Sequence, residues 1–172
     1  MEPEQVFNIK LIPMEERYFS GVFEVYRQCE DFLSLGPQPV ASMEMVLKDI
    51  QASLTKNGVY YGIFLDESEM IGILDLIPRE VENIVEAVYI ELFMITPQHR
   101  QRGIGTQILR VIEANIKNKT GVNQILASAQ INNPRALSFW QRNGYVIFGG
   151  PELQPDLTTV YHMKKDLGPL QE

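Results

Sequence analysis

Residues 89–110 read YIELFMITPQHRQRGIGTQILR and set a strand, a basic glycine-bearing turn and a helix start in direct succession. Ile90, Leu92 and Met94 alternate with Glu91, Phe93 and Ile95, and most of both sets are apolar, as in a strand buried on both faces. Thr96-Pro97 stops it, because proline has no ladder donor. Ile104, Ile108, Leu109, Val111, Ile112 and Ile116 then recur at helical spacing and make one apolar face.

That succession is a physical unit. The first turn of a helix has backbone N–H groups with no internal partner, and the helix dipole adds partial positive charge there. Together they seat an anion, usually a phosphate. Gly103 and Gly105 let backbone approach it closely, and Arg100 and Arg102 add forked donors, with His99 a further cation when protonated. The same pattern also serves as a plain tight connection flanked by solvated arginines. The phosphate-loop (Walker) pattern of nucleoside triphosphatases needs Gly-Lys-Ser/Thr, whereas Gly105 is followed by Thr106-Gln107. The dinucleotide pattern needs a small residue where Ile108 stands.

At 172 residues, with 45% apolar and 22% charged side chains, a single domain over residues 1–172 with a substantial core is expected. A net charge of −7 argues against nucleic acid as the main partner, since neutralising phosphates needs a basic surface. An acidic body with a small basic socket suits an anionic cofactor and a cationic co-substrate. Cys29 is the single cysteine, so nothing points to secretion, and its helical neighbours assign it to packing. The first residues lack a signal-peptide pattern, and no apolar run approaches the ~20 residues that span a bilayer, so the protein reads as cytoplasmic.

Along the chain, residues 7–12 read as a first strand and residues 15–32 as one amphipathic helix. Gly36, Pro37 and Pro39 break that pattern. Ser42 opens a second helix, closed by Asn57-Gly58. Residues 59–65 and 70–77 form a hairpin whose second strand Pro78 stops, and a charged turn at residues 79–83 leads into a strand from Ile84 to Ile95. The central helix runs from Gly103 to about Lys119 and ends at Thr120-Gly121. A strand at residues 122–129 completes a βαβ unit, so its two strands should be parallel. Asn133 caps a helix that Pro134 opens and Asn143-Gly144 ends. Strands at residues 145–148 and 158–163 follow, separated by loop signals from Gly149-Gly150-Pro151 onward, and a polar tail frays from Lys164.

With this order on the page, the chain resembles the GNAT family of N-acetyltransferases. The family signature is Arg or Gln, two residues, Gly, one residue, then Gly or Ala, met here by Arg100, Gly103 and Gly105. Ile95 supplies the aliphatic residue five positions before the arginine. Downstream, Asn133, Ala136, Trp140 and Gly144-Tyr145 match a second family pattern. The detailed match covers roughly residues 70–149, and the earlier part agrees in element order. The resemblance implies an α/β (α+β) fold: a mixed, mostly antiparallel central sheet of about six to seven strands, flanked by about four helices, with a parallel βαβ unit at the cofactor site.

It further implies acetyl-CoA as donor, no metal, and direct attack by a primary amine in a ternary complex. Backbone amides of Gln101, Arg102, Gly103, Ile104, Gly105 and Thr106 would hold the CoA pyrophosphate beside Arg100. Backbone groups of Phe93, Met94 and Ile95 would line the pantetheine arm, with Asn133 and Trp140 near it. An alkylamine of pKa about 10 must lose a proton before attack. Glu91 is the candidate base, a carboxylate in an apolar strand, with Asp75 and Glu86 as weaker candidates; the alternative for Glu91 is a solvent-facing carboxylate paired with a lysine. The amide of Ile95 or a neighbour would meet the oxyanion. Trp140 stands where many family members carry an acid tyrosine, and indole is no practical acid, which leaves Tyr145 or water to protonate the thiolate.

The resemblance places the acceptor near residues 30–45 and 149–159, where Glu30, Asp31, Phe32 and Leu33 offer charge and an apolar wall. It implies a small amine, polyamine, aminoglycoside or peptide amine. The competing reading, from the missing tyrosine, is a non-catalytic acyl-CoA sensor. The last strands could also pair between subunits, and homodimers are common in the family.

Overall fold

The computed structural model describes residues 6–118 and 122–168. Among these, seven strands form one sheet in the order β1-β2-β3-β4-β5-β7-β6, and five α-helices cover it. The strands are β1 (Ile9–Pro13), β2 (Val59–Leu65), β3 (Glu69–Val81), β4 (Ile84–Ile95), β5 (Gln124–Gln130), β6 (Val146–Leu153) and β7 (Thr159–Asp166). The helices are α1 (Phe19–Gln28), α2 (Glu30–Leu33), α3 (Met43–Thr55), α4 (Ile104–Lys117) and α5 (Pro134–Arg142). Only β4 and β5 pair in parallel, as the βαβ reading requires.

The sheet separates two cores. On one side α4 lays Ile104, Ile108, Leu109, Ile112 and Ile116 against Val88, Ile90, Ile125 and Ala127. Each such fully buried side chain contributes about 2 kcal/mol. Val111, expected on that face, is exposed, because its place on the helical wheel falls outside the buried stripe. On the other side Val22, Val25, Tyr26, Val46 and Ile50 of α1 and α3 pack on Tyr60, Ile73 and Met94.

Several local expectations give way to tertiary context. Residues 15–32 form a short 3-10 turn, α1 and α2 rather than one helix, with the break at Cys29, which is fully buried. Ser42 caps α3 by accepting from the Met45 amide, and Asn133 caps α5 by accepting from the Ala136 amide. Pro78 does not stop β3. Pairing with β2 ends at Leu76, so Pro78 lies where β3 has a neighbour on one side only and a missing donor is tolerated. Gly149-Gly150-Pro151 lies inside β6, an edge strand whose register shifts at that point, instead of forming a loop. Lys164 does not begin a frayed tail: β7 continues to Asp166, and Lys165 reaches Glu113 at 2.7 Å. The expected helix end at Thr120-Gly121 falls outside the described residues.

Candidate active site

The candidate site begins where β4 and β5 part. They pair only over Ala87–Ile90 and Gln124–Ala127, while β4 stays paired with β3 as far as Ile95. Residues 91–95 therefore have a β5-facing edge without a strand partner, and the two strands fork into a cleft. The Thr96 amide bonds to Ile71 O on β3, so by alternation the amides of Phe93 and Ile95 point the other way, into the fork. Met94 is buried on the α1 side, and the Phe93 ring lies 5.9 Å from Phe139 and 6.2 Å from Trp140.

The fork leads to the start of α4. The first helical bond there runs from Gln107 N to Gly103 O, so the amides of Ile104, Gly105 and Thr106 precede the ladder. Gln101 and Gly103 both have positive φ, +60° and +84°, which curls the turn over the helix end. Gly103 is needed for that conformation. Gly105 answers to packing, since a Cβ there would meet the Phe139 ring at 3.0 Å. The amides needed for an anion seat are thus assembled.

The basic side chains are spent differently from what their spacing suggests. Arg100 donates through Nε to Ile95 O at 2.6 Å and grips both oxygens of Asp31 at 2.5 and 3.1 Å. That grip holds the Asp31 carboxyl below its ordinary value. The Cys29 thiol points at the same Ile95 carbonyl, 3.7 Å away. His99 is buried, with Nδ1 2.9 Å from Thr96 Oγ1, and it clasps the turn from within. Arg102 stands over the Phe7 ring at 5.2 Å. Of the residues expected near an acceptor, Asp31 is tied to Arg100 in the turn before α4, Glu30 accepts from the Ala41 amide, and Phe32 and Leu33 pack against the α1–α3 core.

The face of the sheet toward α3 carries the carboxylates. Asp75 pairs with Leu92, but Leu76 pairs with Ile90, so Glu91 is the extra residue of a β-bulge. The bulge reverses the alternation of β4 beyond it, and Glu91 faces Lys56 at the end of α3, 2.9 Å away. Glu91 is 41% exposed, so the alternative that its sequence context left open, a solvent-facing carboxylate with a lysine partner, describes its free-state geometry. Asp49, Ala52, Ser53, Lys56, Asp75, Glu91 and Leu92 line a cavity of about 230 Å³. Asp75 is buried and accepts from Ser53 Oγ at 2.6 Å; burial pushes its carboxyl up to about 6. Burial also raises Asp49, which accepts from Tyr26. Glu86 is exposed, at the end of β4 away from the fork.

Trp140 and Tyr145 lie in the α4–α5 core, their rings 4.8 Å apart. The Tyr145 hydroxyl donates to Glu113 at 3.3 Å, and burial raises its pKa. It faces α4. Neither Lys56 nor the Asp31 tether stands out in the sequence, because each joins residues 35 or 69 positions apart and leaves no local periodicity. No group of metal-binding side chains occurs among the described residues, and none of their helices is long and apolar enough to cross a membrane.

The comparisons fit this geometry. The acetyltransferase (GNAT) family model matches residues 21–145. No curated protein matches the chain in sequence. Among solved structures, an acetyltransferase from Thermus thermophilus is similar at TM-score 0.76 and 25% identity, covering 94% of this chain and 98% of that one. A spermidine N-acetyltransferase from Vibrio cholerae, in complex with CoA and spermine, is similar at TM-score 0.71 and 14% identity, covering 92% and 95%. An acetyltransferase from Salmonella typhimurium that modifies the N-terminal serine of ribosomal protein L7/L12 is similar at TM-score 0.75 and 18% identity, covering 95% and 97%. With the family model spanning most of its length, the chain belongs to the acetyltransferase (GNAT) family and is an acyltransferase.

Proposed function

We propose that the protein transfers an acetyl group from acetyl-CoA to a primary amine by direct attack within a ternary complex. One observation carries this reading: the β4–β5 fork is an open extended slot that ends at the unpaired amides of the α4 N-terminus. An extended arm ending in a pyrophosphate fits that shape and charge. Amides of residues 101–106 hold the anion, and the Phe93 and Ile95 edge pairs with the arm. Arg100 acts through the turn it braces. The Ile95 N–H is placed for the oxyanion. Asn133, already committed by its side-chain oxygen to the cap, retains its amide nitrogen for the arm.

Glu91 takes the amine proton, directly or through water, and Lys56 must yield when a cationic amine arrives. The acidic face around Glu91, Asp75 and Asp49 suits a cationic acceptor. Two structural neighbours are described as acting on spermidine and on a protein N-terminus, so polyamines and peptide amines head the acceptor panel.

The test has two stages. Melting is followed with acetyl-CoA, CoA, ATP and NAD in parallel, since a ligand that binds only the native state raises the midpoint. A rise with acetyl-CoA and CoA alone is expected, and no rise with either at millimolar concentration overturns the donor site. Thiol release is then measured on spermidine, small alkylamines, an aminoglycoside and a peptide with a free N-terminal serine. Glu91→Gln should lower turnover by about a hundredfold while CoA still raises the midpoint. Binding without release on the whole panel would favour the sensor reading instead.

A further inference from the structure

The face of the sheet toward α1 and α3 carries a polar chain that the site described above does not use. On β4, β5 and β7 the residues Val88, Ile90, Ile125, Ala127, Ala129 and Met163 enter the α4–α5 core. Their alternates Tyr89, Ser128 and His162 therefore stand on the opposite face. These three are joined. Tyr89 Oη lies 2.5 Å from Ser128 Oγ, Ser128 Oγ lies 3.2 Å from His162 Nδ1, and His162 Nε2 lies 2.5 Å from Glu152 Oε2. The chain thus crosses four adjacent strands, β4, β5, β7 and β6. Its inner end is one rung inside the fork, because Tyr89 pairs with Leu126 and the last rung is Ile90 with Ala127. Its outer end meets water: the Glu152 side chain is 61% exposed and that of His162 is 27% exposed.

Such a string has a use at this place. The departing thiolate needs a proton, the Tyr145 hydroxyl is turned to Glu113, and Trp140 is no acid. We infer, resting on the acetyltransfer reading, that Tyr89, Ser128, His162 and Glu152 form a proton relay that supplies the thiolate from the open face of the sheet. As the amine nitrogen bonds to the acetyl carbon and the C–S bond breaks, the sulfur keeps the electron pair and takes the Tyr89 hydroxyl proton. Tyr89 oxygen takes the Ser128 proton, and Ser128 takes the proton on His162 Nδ1. The ring, neutral after the step with its remaining proton on Nε2, regains a proton at Nδ1 from water that reaches the partly exposed side chain. Glu152 accepts from Nε2–H throughout and fixes the ring with Nδ1 toward Ser128. Tyrosine remains protonated at neutral pH, so it can hand on a proton that histidine then replaces.

The charged neighbours of His162 are Glu152 on β6 and Lys164 on its own strand, whose amine stands 5.7 Å from the Phe148 ring beside the imidazole. On β4 the Glu91–Lys56 pair lies beyond Tyr89 on the same face.

The experiment compares Ser128→Ala, His162→Gln and Tyr89→Phe with wild type, using an amine that wild type accepts and thiol release as readout. Each variant should lower kcat by about a hundredfold with the KM for acetyl-CoA unchanged. His162→Gln should also flatten the alkaline limb of the kcat–pH profile, because an acid must be protonated to act. Ser128→Ala is the smallest change, and a retained CoA-induced rise in melting shows that the fold is intact. Wild-type kcat in folded Ser128→Ala overturns the relay. So does loss of the acid limb in place of the alkaline one, which would make the string a base. Absence of turnover by wild type on every amine overturns the acetyltransfer reading as well.

Discussion

Asp75 is the carboxylate least at home in its surroundings. It is 3% exposed, its charge faces Glu91 and Asp49 across one cavity, and only Ser53 and the Lys56 amine oppose the burial that raises its carboxyl to about 6. The fold prefers its acid form. Folded stability therefore gains, relative to the unfolded chain, as pH falls through about 6 toward the ordinary carboxylate value, and that gain is lost as pH rises through the same range. Asp75→Asn, isosteric and uncharged, should melt above wild type at about pH 8, and the difference should shrink by about pH 5. A constant difference across that range would show that Asp75 is not strained by its charge. Glu91, by contrast, is solvated and already has Lys56, so its proposed role depends on what an arriving amine does to that pair.

At the scale of elements, two irregularities shape the site. One is the bulge at Glu91, which reverses the faces of β4 just before the fork; strict alternation would have sent Phe93 to the α1 side and Met94 to the α5 side. The other is the left-handed turn at Gly103. A Cβ at Gly103 would meet nothing within 4 Å, so substitution there tests conformation alone. Gly103→Ala should cost about 1 kcal/mol in melting experiments and weaken CoA binding, because the turn that presents the amides must adopt φ of +84°. Unchanged stability and unchanged CoA affinity would show that the turn relaxes without consequence.

Across the whole molecule, Arg100 ties α2 to the end of β4. It joins Asp31 on α2 to the Ile95 carbonyl at the mouth of the fork. Asp31→Asn keeps the shape and removes the charge. It should lower the melting point by an amount worth about 1 kcal/mol, and high salt should narrow the gap to wild type. Equal melting at low and high salt would mean that the tether carries no stability. The two cores on either side of the sheet share β3 and β4, through Leu74 and Ile90 on one face and Ile73 and Met94 on the other, so β3 and β4 are the common wall of both.

What depends on neighbours a few residues apart was legible in the chain before it folded. The apolar stripe of α4, the caps at Ser42 and Asn133, the glycine-bearing turn before α4 and the parallel β4–β5 pair all follow from spacing, and the family follows from the order of those signals. What depends on register and on partners far along the chain was settled by the packed sheet. Whether Pro78 ends β3 turned on where β2 stops. Which faces Phe93 and Met94 take turned on a bulge at Glu91, which shifts pairing by one residue and has no periodic mark of its own. Arg100 met Asp31 because α2 lies beside the turn that follows β4, and Tyr89, Ser128, His162 and Glu152 were brought into line because β4, β5, β7 and β6 lie side by side. Short-range periodicity records which face is buried; it holds no information on which polar groups the folded sheet will place within hydrogen-bonding reach.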